Sequence, residues 1–89
     1  MKLYSESRYR ATAAEQRLYG GKTVTKFTCF PDDSHTRFFY VEAFGPTPGE
    51  RKSIATQVAT LLVKLGKAEN NATYTATPGT LTGLQDAAH

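Results

Sequence analysis

A chain of 89 residues, 39% hydrophobic and 21% charged, has room for one domain with a small core and too much apolar content for a disordered segment. Its single cysteine, Cys29, excludes an internal disulfide framework and suits a reducing compartment. The formal net charge of +3 is mild but unevenly spread: residues 1–26 hold Lys2, Arg8, Arg10, Arg17, Lys22 and Lys26 against Glu6 and Glu15, a net +4.

The run after Met1 is polar and charged and lacks the apolar stretch of a secretory signal, so a cytoplasmic setting is expected. Met1 to Tyr4 read as a short strand, and residues 1–21 as a whole admit two readings. In the preferred one, residues 5–19 form a helix with Tyr4, Ala11, Ala14 and Leu18 on one face, Glu6 and Arg10 paired four apart, and Gly20-Gly21 as the stop. In the rival one, a strand over 3–12 leads to a hairpin whose turn is Gly20-Gly21.

Residues 22–30, KTVTKFTCF, are rich in Thr, Val and Phe and read as a strand. Pro31-Asp32-Asp33-Ser34 is turn chemistry, because Pro presets its dihedral and Asp and Ser bond locally to the backbone. Residues 36–44, TRFFYVEAF, read as a second strand, antiparallel to the first. Gly45-Pro46 then leads into the segment with the clearest pattern, TPGERKSIATQVATLLVKLG over 47–66.

Thr47 and Glu50 have the spacing of a capping box, Pro48 occupies the first helical position, and Gly66 is placed to end the helix. Ile54, Val58, Leu61, Leu62 and Leu65 recur at spacings of three and four and form one apolar face, with Ala55 and Ala59 beside it. Arg51, Lys52, Thr56, Gln57, Thr60 and Lys64 are expected to point outward. Charges border the stripe, so a membrane-spanning helix is excluded. Residues 70–77, NNATYTAT, alternate as a short strand does. Pro78-Gly79 breaks that pattern, and 78–89 lack a clear period and are expected to fray.

The fold class expected is therefore α+β in a single domain spanning 1–89. An antiparallel sheet of three to four strands carries the helix at about 47–66 on one face. With residues 5–19 helical, the element order is β-α-β-β-α-β, the ferredoxin-like order.

Strand alternation sorts the side chains. Phe39, Val41 and Ala43, with Thr25, Phe27 and Cys29, are expected beneath the helix. Val24, Lys26, Thr28 and Phe30 point the other way. That second face then carries Phe30, Phe38, Tyr40 and Phe44 beside Lys26, more aromatic surface than a face meant only for water.

Sites for chemistry are sparse. Asp32, Asp33 and His35 cluster in a turn and read as turn formers, so no metal is expected. Cys29 sits mid-strand among apolar neighbours and reads as a buried thiol. The eight acids show no spacing for acid–base work, and Gly20-Gly21 lacks the Lys-Ser/Thr of a phosphate loop. Neither an enzyme nor a cofactor is expected.

The segment Thr36-Arg37-Phe38-Phe39-Tyr40-Val41-Glu42-Ala43 resembles the third strand of RNA-recognition modules at Phe38, Tyr40 and Val41. It departs from that motif at both glycines, at the leading base and at the final aromatic. The chain is not placed in that family, although the resemblance puts Phe38 and Tyr40 on the same face as the alternation does.

Two functions follow as expectations. The first is a small non-catalytic protein that occupies a surface of a partner protein or nucleoprotein complex, using Phe38, Tyr40, Phe44, Phe30, Lys26, Arg37, Arg8 and Arg10. Its size and lack of motifs associate it with phage and mobile-element accessory or inhibitor proteins. The second is single-stranded nucleic-acid binding, with Phe38 and Tyr40 stacking bases and the basic side chains on phosphates. A homodimer that buries the aromatic face is a third arrangement.

Overall fold

The computed structural model describes residues 2–88, with the backbone alone for 5–9. Its elements, in order, are β1 (Lys2–Arg10), α1 (Ala13–Tyr19), β2 (Thr23–Phe30), β3 (Phe39–Phe44), α2 (Pro48–Lys64), β4 (Thr73–Ala76) and α3 (Pro78–Ala87). The four strands form one sheet in the order β1-β2-β3-β4. The class is α+β, with α2 packed on one sheet face as the sequence predicts.

The sheet is mixed, not purely antiparallel. β1 pairs antiparallel with β2 and β2 with β3, whereas β4 runs parallel to β3. The cause is α2: at about 1.5 Å per residue it carries the chain back along the sheet, so that β4 starts beside the beginning of β3. The Asn71 amide donates to the Phe38 carbonyl at 2.7 Å and the Tyr40 amide to the Ala72 carbonyl at 2.8 Å, which fixes the register. The ferredoxin-like element order is present through β4, but the pairing is not that of a split βαβ unit, since β3 and β4 are direct neighbours.

The N-terminal segment corrects the expected helix over 5–19. Residues 2–10 pair with β2 as an edge strand, with an irregularity between Ser5 and Ser7, and only Ala13–Tyr19 is helical. The boundary has a local cause in Thr12 and Glu15, which form a reciprocal capping box. The Glu15 amide donates to Thr12 Oγ1 at 3.4 Å, and the Thr12 amide donates to Glu15 Oε2 at 2.7 Å. Gly20 ends the helix at φ 71°, a conformation that glycine adopts without strain.

α2 begins with half of the expected capping box: Thr47 Oγ1 accepts from the Glu50 amide at 3.2 Å and Pro48 occupies the first turn, while the Glu50 carboxylate makes no return bond to the Thr47 amide. It ends at Leu65, with Gly66 at φ +70°. Ile54, Ala55, Val58, Ala59 and Leu62 face Phe27, Cys29, Phe39, Val41, Ala43 and Ala76 in the main core. Ala55 and Ala59 are fully buried, which is what lets helix and sheet approach closely.

The tail also corrects its expectation. Residues 78–87 are a helix, not a frayed end. Thr77 Oγ1 accepts from the Thr80 amide at 3.3 Å, and Leu81 and Leu84 pack against the main core. The same Thr-Pro-Gly that opens α2 at 47–49 recurs at 77–79 and opens α3 in the same way.

Arg51 overturns its outward assignment. It is 2% exposed; its Nε donates to Thr25 Oγ1 at 2.7 Å and one terminal nitrogen to the Gly45 carbonyl at 2.7 Å. The long side chain folds under the first turn of α2, and its donors tie that turn to β2 and to the end of β3.

Candidate interface on the open sheet face

The sheet face away from α2 is built by register. Lys2 lies opposite Phe30, and Tyr4 opposite Thr28. Thr28 in turn lies opposite Tyr40, and Lys26 opposite Glu42. Side chains at these positions alternate with the core set, so they project together.

The rings make a connected row. Tyr4 and Phe30 meet edge to face at 5.7 Å between centroids, Phe30 and Phe38 at 6.4 Å, and Phe38 and Tyr40 at 5.6 Å. The Lys26 ammonium lies 4.4 Å from the centre of the Tyr40 ring, a cation–π contact that holds a positive charge against the row. His35, at φ 60°, leans on Phe30 with 4.9 Å between centroids. Phe30, Phe38, Tyr40 and Lys26 are half-buried, and Tyr4 is 47% exposed.

Of the residues expected on this surface, Phe30, Phe38, Tyr40 and Lys26 are brought together. Phe44 is not with them. It is 6% exposed and stacks on Tyr19 at 4.2 Å, forming with Ala11 and Val24 a second small core at the far end of the face. Val24 and Thr28 are likewise buried, which corrects their assignment to an open face. The chain around α1 thus covers one end of the face and leaves the ring row open at the other.

Arg37 lies beside the row but is engaged, with a terminal nitrogen 2.6 Å from Asp32 Oδ2. Arg10 is exposed and pairs in register with Thr23. It therefore sits at the end of the sheet opposite Phe30. The side chain of Arg8 lies outside the described residues. Tyr4, which completes the row, falls in the short strand expected at Met1–Tyr4, and the pairing of β1 with β2 puts it opposite Thr28. Thr28 Oγ1 is buried at the centre of this face without a hydrogen-bond partner among the described residues.

Two titratable groups are perturbed. The hydrogen bonds from Arg37 and from the Ser34 hydroxyl and amide hold the Asp32 carboxyl well below the usual carboxylate range. These bonds organise the turn that presents Phe38. Burial pushes the Cys29 thiol up to about 12, so it stays protonated near neutrality. Among the described residues, no three His, Cys, Asp or Glu side chains are grouped as metal ligands, and no helix is long and apolar enough to cross a membrane.

Comparisons with protein families, with curated proteins and with solved structures find no match to this chain.

Proposed function

We propose that the chain is a non-catalytic binding protein that engages a partner protein, alone or within a nucleoprotein complex, through the open face of its sheet. One observation carries this reading. Tyr19 and Ala11 seal Val24 and Phe44 at one end of the face, while Tyr4, Phe30, Phe38 and Tyr40 stand uncovered at the other with Lys26 among them. Aromatic side chains beside a cation are the composition that concentrates binding energy at protein interfaces.

Three features favour a protein over single-stranded nucleic acid on the same rings. The rings pack edge to face, so their flat faces are partly used by one another and by Lys26. Glu42 projects from the same face and repels phosphates. Arg37 is already paired with Asp32.

The test is photo-crosslinking in cells from a benzophenone amino acid placed at position 40, with position 56 on the exposed side of α2 as control. The reading predicts an adduct at 40 and none at 56, sensitive to protease and not to nuclease. Equal adducts at the two positions overturn the choice of face, and a nuclease-sensitive adduct at 40 overturns the choice of partner.

A further inference from the structure

A second surface, independent of the open face, lies where α1, α2 and α3 meet the end of the sheet. Two clefts of about 480 and 560 Å³ join there and share Lys22, Phe44 and Pro78. The first extends from that shared wall to Leu18. The second extends the other way between α2 and α3, past Glu50 to Ile54 and Leu81. Glu50 and Pro78 belong to the first turns of their helices, and Ile54 and Leu81 to the turns that follow. The groove therefore has an order: Leu18, Lys22, Glu50, and then the apolar pair Ile54 and Leu81.

Two properties of that order select the occupant. Leu18 is 78% exposed, a large aliphatic projection without cover, while the opposite end of the groove is a concavity walled by Ile54 and Leu81. Lys22 and Glu50 are the two charged side chains along it, one of each sign. Neither makes an ion pair among the described residues.

A small ligand with a single charge would meet one like charge for each opposite one. A second copy of this chain meets neither problem. A two-fold interface needs a self-complementary patch, in which one residue faces another and the reverse holds across the axis. With the axis between Lys22 and Glu50, each Lys22 faces the Glu50 of the other copy. The same overlay brings each Leu18 to the concavity of the other copy. One arrangement thus satisfies the projection, the concavity and both charges.

We propose that this groove is the interface of a two-fold homodimer, with Leu18 of each copy seated between Ile54 and Leu81 of the other and Lys22 paired with Glu50 across the axis. The ring row from Tyr4 to Tyr40 lies at the other end of the sheet face, so the dimer carries two uncovered rows.

The experiment is sedimentation equilibrium of the whole chain over about 1–500 μM, a span that covers weak and moderate dimers. Reversible dimerisation that is lost in Leu18→Glu, which would bury an unpaired charge in each concavity, supports the interface. Lys22→Glu and Glu50→Lys should each weaken it about tenfold or more, because like charges then face each other twice. The double variant carrying both exchanges should return to within about threefold of the original, since each pair is restored with its signs reversed. All three positions are exposed, and an unchanged far-ultraviolet spectrum shows that each variant is folded. A chain that stays monomeric across the range overturns the proposal and gives the groove to a different protein or a small molecule. So does a dimer that Leu18→Glu leaves intact, or a double variant no tighter than the single ones. Tyr4→Ala, on the open sheet face, should leave the dimer as it is; a loss there would put the interface on the ring row and overturn the proposal.

Discussion

Tyr19 and Phe44 stack with ring centroids 4.2 Å apart and planes 14° from parallel, and that stack decides which part of the open sheet face meets solvent. It closes the end occupied by Val24 and leaves the row from Tyr4 to Tyr40 uncovered. Tyr19→Ala should therefore behave as a core substitution and cost about 1–3 kcal/mol in urea unfolding. Tyr4→Ala, at a residue 47% exposed, should cost less than about 1 kcal/mol. Equal costs would mean that the two ends of the face are not distinct.

Arg51 bridges α2 to β2 and to the end of β3 through Thr25 and Gly45. Truncation removes both donors and the packed stem, leaving a buried hydroxyl and carbonyl short of a partner. Arg51→Ala should destabilise the protein by about 2–4 kcal/mol. Arg51→Met keeps the stem and should cost clearly less. A neutral effect of Arg51→Ala in denaturant unfolding would show that the bridge contributes nothing to stability.

The Cys29 thiol is raised from its ordinary 9.0 to about 12 by burial. Below about pH 9 the thiol is protonated in both the folded and the unfolded chain, and it adds no pH dependence. Between about pH 9 and about pH 12 the unfolded chain gives up a proton that the folded one keeps, so stability falls as pH rises. Cys29→Ala should flatten this part of the profile, read as the difference in urea midpoint between about pH 8 and about pH 10.5. Parallel profiles for the two proteins would remove the thiol from the account.

Thr77 caps α3 through the Thr80 amide. Thr77→Ala should cost about 1 kcal/mol and speed amide exchange in α3 before it does so in α2. If exchange in α3 is unchanged, the cap is not what holds the terminal helix.

What could be read in the sequence followed from local signals. Thr47, Pro48 and the 3–4 spacing of Ile54, Val58 and Leu62 define α2, and alternation in β2 and β3 puts Phe39, Val41 and Ala43 beneath it. The same logic brought Phe30, Phe38, Tyr40 and Lys26 to one surface. Two further signals were local and went unread: the Thr12–Glu15 box that starts α1, and the second Thr-Pro-Gly that starts α3.

Other features were not local at all. Residues 2–10 fit both the helix over 5–19 and the rival strand over 3–12, and the eight register pairs with β2 decide for the strand. Tyr4 joins the ring row through that pairing. Arg51 is different: it lies three and four residues before Ile54 and Ala55, so spacing puts it on the buried face, and only its charge argued for solvent. It is buried because its side chain is long enough to reach Thr25, and because Gly45 has no side chain in the way: a Cβ there would lie 3.3 Å from the Arg51 side chain. Phe44 follows the alternation of β3 but is claimed by Tyr19 from another element.

The measurement that bears most directly on the central claim compares the protein with a Phe38→Ala, Tyr40→Ala double variant. Thermal unfolding and quantitative capture of the partner identified by crosslinking from position 40 are read on the same samples. The account predicts that the variant folds, with a melting point lowered by no more than about 10 °C, and loses at least about tenfold of the captured partner. A folded variant that captures the partner as well as the original would contradict the claim that the open sheet face is the binding surface.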